Sequence, residues 1–217
     1  MDIRPLLLSL ETALSATVIC FFTGMLSAWI MVRYKGPFKN IIDGVLTLPM
    51  VLPPTVTGFF LLVLIGKRGP VGKFFHMMGI DLIFTIWAAI AASAIVSFPL
   101  MYRSLRAAFE QVDESLLHAS RTLGAGEFRT FIHICIPLSL PGIAAGTVLS
   151  FARALGEFGA TLMVAGNIPG RTQTIPLAIF FSAEGGDMGK AGIWVLLITV
   201  ISFIVVFSVN YLANRKR

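Results

Sequence analysis

Five long apolar runs constrain this 217-residue chain more than any other feature. Each approaches or exceeds the roughly 20 residues that an α-helix needs to cross about 30 Å of hydrocarbon. Only 13% of the residues are charged, against about 25% in soluble domains. The sequence therefore predicts an all-α, polytopic membrane helical bundle that forms one transmembrane domain over residues 1–217. The predicted spans are 13–32, 41–65, 82–105, 136–155 and 193–212.

The distribution of Lys and Arg between the spans predicts the orientation. Ten of these residues fall in one set of connecting segments and seven in the other. We therefore expect the N-terminus outside and the C-terminus inside. Because the cations lie at span ends instead of on one basic face, we do not expect nucleic-acid binding. The ten are Arg33, Lys35, Lys39, Arg103, Arg106, Arg121, Arg129, Arg215, Lys216 and Arg217.

Two spans carry proline or glycine signals. The second span contains Pro49, Pro53 and Pro54, and proline removes an amide donor and clashes with the preceding turn. This break is either a kink packed against neighbouring helices or an element that lines a pathway. In the fourth span, Gly142 and Gly146 have the G-x-x-x-G spacing that lets helix backbones approach closely.

A polar, cationic stretch between the third and fourth spans, within residues 106–135, has helical character. Asp113 is the expected N-cap. Gly124 and Gly126 are expected to end the helix, because glycine accepts the left-handed conformation. A folded polar helix in an apolar chain indicates that a soluble partner docks on it. The apolar and small positions that would meet this partner are Leu116, Ala119, Ser120 and Leu123.

This stretch resembles the EAA motif of ABC-importer permeases, E-A-A-x-x-x-G followed nine residues later by I-x-L-P. His118 replaces the glutamate, Ser120 the third-position alanine and Ile136 the leucine. Without a negative charge at His118, docking is expected to rest on shape and on Gly124. The positions that match the motif are Ala119, Gly124, Ile134 and Pro137.

The resemblance implies a coupling helix that sits in a cleft of a separate ATP-binding subunit and moves the spans as a rigid body. The chain has no G-x-x-x-x-G-K-[ST] phosphate loop, so ATP and Mg are expected on the partner and no cofactor on this chain. No catalytic set is expected. The histidines His76, His118 and His133 lack ligand spacing, so no metal site is expected either.

Residues 151–180, FARALGEFGATLMVAGNIPGRTQTIPLAIF, are similar to the signature of the molybdate and sulfate branch of these permeases, and closest to molybdate permeases. The resemblance implies a type I ABC importer transmembrane domain in the cytoplasmic (inner) membrane of a prokaryote. Its partners would be a second copy of itself, cytoplasmic ABC ATPase subunits, an external oxyanion-binding protein and the lipid bilayer. Molybdate would cross by alternating access, with sulfate, thiosulfate and tungstate as alternative substrates.

The same stretch contains candidate residues of the pathway. Arg153 and Glu157, spaced i, i+4, form either a local ion pair or a site where Arg153 faces the path of a tetrahedral dianion. The broken second span adds Pro53 and Pro54. Hydrogen-bond donors along an outer gate are expected at Thr161, Asn167, Thr172 and Thr174.

One structural question and one rival class stay open. The apolar piece at 174–183 is a re-entrant or interfacial helix, or a sixth span. A secondary transporter would show ionisable residues in mid-span and paired broken helices. Only the second span is visibly broken in the sequence, and this favours the ATP-driven class.

Overall fold

The computed structural model describes residues 2–214, and every regular element in that range is a helix. One π-helical turn, Phe131–Cys135, joins two of the α-helices. The α-helices are α1 Arg4–Arg33, α2 Lys39–Val51, α3 Pro54–Ile65, α4 Pro70–Met77, α5 Ile86–Glu110, α6 Glu114–Thr122, α7 Glu127–Thr130, α8 Ile136–Leu138, α9 Leu140–Leu155, α10 Gly159–Ala165, α11 Ile175–Glu184 and α12 Met188–Asn214.

The number of spans agrees with the prediction of five when each bent helix pair counts as one. The helices α1, α5 and α12 are each long and apolar enough to cross a membrane, and two bent pairs complete the set. The option of a sixth span at 174–183 is wrong, because α11 has ten residues and therefore spans only about 15 Å. The predicted cationic tail Arg215–Arg217 lies outside the described residues.

The centre of the bundle is α5, which packs against α1 and α9. Glycines allow this close approach. A Cβ added to Gly146 of α9 would lie 2.9 Å from the Cβ of Ser104, and one added to Gly24 of α1 would lie 2.8 Å from Cγ of Met101. A Cβ on Gly142 would collide with Ala108. The G-x-x-x-G prediction for helix packing is therefore confirmed.

Both bent pairs have physical causes in the sequence. The axes of α2 and α3 differ by 113°. Pro53 and Pro54 have no N–H for the carbonyls of Pro49 and Met50, so α2 ends at Val51. The fourth span is also broken, since the helical stretch Glu127–Leu138 meets α9 at 75°. The interpretation that only the second span is broken was therefore wrong.

Candidate functional site

The segment that joins α5 to α9, residues 111–139, is called the linking segment below. Its helix α6 begins where predicted, since the carboxylate of Asp113 accepts a hydrogen bond from the Ser115 N–H at 2.8 Å. That bond holds the pKa of Asp113 below its ordinary value. The cap removes one unpaired amide from the first turn of α6.

At its other end α6 stops in a Schellman motif. Gly124 has a φ of +82°, and its N–H donates to the carbonyl of Arg121 at 2.9 Å. The next N–H, of Ala125, donates to the carbonyl of Ser120 at 3.1 Å. The predicted stop at Gly124 is confirmed. Gly126 does not contribute to it, since its φ is −68° and it precedes the first residue of α7.

The residues predicted to meet a partner separate into exposed and buried sets. Ser120 is only 8% exposed, and its hydroxyl lies 2.8 Å from that of Thr130. It fastens α6 to α7, so the expectation that it meets a partner is wrong for this conformation. Leu123 is 87% exposed. The other exposed positions are Leu116, His118, Ala119, Gly124 and, before the bend, Pro137.

A glutamate that the sequence did not single out connects the linking segment to α1. One carboxylate oxygen of Glu127 lies 2.7 Å from Nε of Arg121, and the other lies 2.5 Å from Nη2 of Arg33. Glu127 and Arg33 are 94 positions apart, so no local spacing in the sequence indicates the contact. A cavity of about 400 Å³ lies beside this pair, lined among others by Arg33, Lys35, Glu114, His118 and Glu127.

A second charged cluster attaches α2 to α5. The Tyr102 hydroxyl donates to Oδ1 of Asp43 at 2.7 Å, and Arg106 pairs with the same oxygen. Arg106 also pairs with Glu110 at 2.8 Å. None of the residues of α2 is buried, so this cluster is its principal polar attachment. A carboxylate near a span end is ordinarily solvated, and for that reason this role of Asp43 was not predictable from the sequence.

The N-terminal ends of α3 and α10 meet at a contact that we call the break junction, formed by Pro54, Gly58, Gly159 and Ala160. A Cβ on Gly58 would lie 2.8 Å from the Cα of Ala160, and one on Gly159 would lie 3.2 Å from the Cβ of Pro54. The two backbones therefore touch with no room for a side chain between them. Of the two predicted prolines, Pro54 belongs to this junction as the first residue of α3, and Pro53 is the N-cap before it.

The ion pair predicted as one alternative is present next to the break junction. Nη1 of Arg153 lies 2.8 Å from Oε2 of Glu157, and Glu157 is 2% exposed. Its other oxygen accepts the Ala160 N–H at 2.8 Å, so the carboxylate also caps α10. The Arg153 side chain is 31% exposed. Its role in a pathway stays a prediction.

The four predicted gate donors differ in their burial. Thr161, Thr172 and Thr174 are buried, and their role at an outer gate stays a prediction. The Thr172 hydroxyl accepts the Ile168 N–H at 3.1 Å, which stabilises the loop before α11. Asn167 is partly exposed and accepts a hydrogen bond from Gln173 at 2.9 Å.

Comparison with other sequences gives relatives along nearly the whole chain. It is 45% identical to the molybdenum transport system permease protein ModB of Escherichia coli, over 99% of this chain and 94% of the relative. It is 44% identical to the putative molybdenum transport system permease protein YvgM of Bacillus subtilis, over 95% and 91%. The probable sulfate transport system permease protein cysT of Chlorokybus atmophyticus is 38% identical, over 99% and 75%.

Solved structures of ABC transporters share the fold. A bacterial ABC transporter involved in the import of the acidic polysaccharide alginate superposes with a TM-score of 0.75 at 14% identity, covering 99% of this chain and 80% of that one. The inward-facing MetNI methionine ABC transporter gives 0.74 at 14% identity, covering 98% and 94%. At such identities the likeness concerns the fold alone.

The family model described as binding-protein-dependent transport system inner membrane component matches residues 21–217. That match covers nine-tenths of the chain and agrees with the relatives and with the fold. The chain therefore belongs to this family of inner membrane permeases of ABC transporters.

Proposed function

We propose that this chain is the permease subunit of an ABC importer for molybdate. The observation that carries the proposal is the agreement between the relatives and the linking segment. Relatives named for molybdenum transport match almost the full length. The linking segment presents a capped, exposed helix. The sequence contains no ATP-binding loop. A permease of this design requires a partner that supplies the energy.

In the proposed mechanism two copies of the chain enclose the pathway, and one ATPase subunit docks on each α6. Leu116, His118, Ala119 and Leu123 form the docking surface, since all four are exposed on one short helix. ATP binding draws the ATPases together and moves both α6 helices. The spans then open outward as rigid bodies, and hydrolysis returns them to the inward-open arrangement. ATP and Mg stay on the partner throughout.

The orientation follows from the linking segment. If the ATPase is cytoplasmic, then Arg33, the start of α2 and the end of α5 are also cytoplasmic, because all of them contact or adjoin the linking segment. The N-terminus is then outside. An external oxyanion-binding protein delivers the anion to the opposite end. Substrate selection belongs mainly to that protein, because Arg153, next to the break junction, is already paired with Glu157.

The deciding experiment is uptake of radiolabelled molybdate into proteoliposomes that contain the permease, its ATPase and its binding protein. We expect this uptake to require ATP. We also expect excess tungstate to inhibit it more strongly than excess sulfate does. Equal uptake of molybdate and sulfate at low micromolar anion would contradict the assignment of molybdate as the substrate. Uptake driven by an ion gradient without ATP would contradict the assignment to the ATP-driven importers and favour a secondary transporter.

A further inference from the structure

We propose that Glu127 is a positioning residue that transmits movement of α6 to α1, by holding an arginine from each on one carboxylate. This inference rests on the proposed function, since it assumes that an ATPase moves α6. It adds a specific connection between the docking helix α6 and the span α1.

The geometry of the carboxylate supports this role. Oε1 of Glu127 accepts from Nε of Arg121 at 2.7 Å, and Oε2 lies 2.5 Å from Nη2 of Arg33. Arg121 lies in the last turn of α6, and Arg33 is the final residue of α1. Glu127 is the first residue of α7. This side chain therefore connects α6 directly to the end of α1.

From Arg33 the contacts continue into the core of the bundle. Its guanidinium lies 4.5 Å from the centre of the Trp29 ring, a cation–π contact. Trp29 stacks on Phe131 at 4.7 Å, and Phe131 meets Phe109 of α5 edge-on at 5.4 Å. Phe131 is 6% exposed. The connection thus ends on packed aromatic rings that two spans share and does not end in solvent.

The exposure of the charges separates this role from a role in stability. The side chains of Glu127, Arg121 and Arg33 are 51%, 38% and 33% exposed. Ion pairs this exposed contribute little to the free energy of unfolding. Leu117 and Ser120 already anchor α6 through apolar packing and a hydrogen bond. Loss of the Glu127 charge should therefore alter the transfer of movement and leave the fold intact.

The test is Glu127→Gln in the reconstituted complex with its ATPase and binding protein. We expect the number of anions imported per ATP hydrolysed to fall by roughly threefold to tenfold, which lies within the range that loss of one coupling contact produces. Copurification of the ATPase and the melting temperature should not change. Glu114→Gln is the matched control, because Glu114 lines the same cavity and has no ion pair within the described residues. Its ratio should equal that of the unaltered chain.

A double variant tests the connection itself. If both residues act through one contact, Arg33→Gln combined with Glu127→Gln should be no worse than either alone. Additive losses would overturn the proposal, as would an unchanged ratio in Glu127→Gln or an equal loss in Glu114→Gln. The ratio is measured for whichever anion the unaltered complex imports. If the unaltered complex did not prefer molybdate, the proposed substrate would be contradicted and this test would remain valid.

Discussion

The break junction and the linking segment differ in how closely they are packed and how much of their surface is exposed. At the break junction two backbones touch through Gly58 and Gly159, and the neighbouring buried carboxylate of Glu157 pairs with Arg153 and accepts the Ala160 N–H. The linking segment is held by half-exposed charges and presents Leu123 to solvent with 87% of its surface exposed. The first region is complete within one chain. The second has the exposed apolar surface expected of the proposed docking site.

The largest effect that distinguishes them is expected for Gly58→Val. The new side chain would meet the Ala160 backbone, which cannot move aside as a flexible side chain can. We expect a loss of about 3 kcal/mol in unfolding free energy from overpacking, seen as a lower melting temperature of the purified protein. Gly44→Val is the control, since a Cβ at Gly44 meets nothing within 4 Å. Equal losses in both variants would show that the junction is not tight.

Glu157→Gln comes next. It removes the charge that compensates Arg153 while leaving an oxygen for the Ala160 N–H. Breaking a fully buried pair costs about 3–5 kcal/mol. Because Arg153 is 31% exposed, we expect the free energy of unfolding to fall by only about 2 kcal/mol, as measured by thermal unfolding. The comparison is Glu110→Gln, whose carboxylate is 45% exposed in its pair with Arg106 and should contribute less than about 1 kcal/mol. If Glu110→Gln destabilised the protein as much, burial would not be the deciding factor.

In the linking segment Gly124→Val should reduce transport more than stability. A β-branched residue at a φ of +82° strains the end of α6 by about 1–2 kcal/mol, which unwinds its last turn. We expect ATP-driven uptake to fall while the amount of protein in the membrane stays constant. Gly126→Val, at a φ of −68° and also free of nearby atoms, should keep uptake. Normal uptake by the Gly124 variant would remove α6 from the coupling route.

The smallest effect concerns the cap of α6 and depends on pH. The Ser115 N–H lowers the pKa of Asp113 in the folded chain, so the carboxylate stabilises the folded state above the ordinary pKa. That contribution is lost as the pH falls through the lowered, folded-state pKa. Hydrogen exchange at the first amides of α6 should accelerate on acidification, after correction for intrinsic rates. Asp113→Asn keeps an acceptor and should abolish this pH dependence. A variant that retained it would exclude Asp113 as its source.

Local signals were predicted well from the sequence. Apolar run length gave the spans, the Asp113 cap and the Gly124 stop were correct, and the spacing of Gly142 and Gly146 anticipated the packing of α9 on α5. Each depends on residues that are close along the chain. The spacing i, i+4 likewise anticipated the pair of Arg153 and Glu157.

Contacts between distant residues were not predictable in this way. Asp43 pairs with Arg106 across 63 positions, and Glu127 reaches Arg33 across 94. Their partners are fixed by how the helices pack, which no periodicity encodes. The fate of Ser120 has the same cause. A small residue on an amphipathic helix suits either a docking face or a close internal contact, and only the position of Thr130 decides between them.

The π-helical turn at Phe131–Cys135 contains one residue more than an α-helical turn would, with the Ile136 N–H donating to the carbonyl of Phe131 five residues earlier. Each residue of an α-helix advances the direction of its side chains by about 100°. Deleting one residue from this turn would let it close as an ordinary α-helical turn and keep the direction of α6 and α7 around the helix axis, whereas one residue deleted from a regular α-helical stretch would rotate them by about 100°. The extra residue is thus absorbed within the turn, and a single-codon deletion there should leave the docking surface facing the same direction, with every side chain on that surface unchanged.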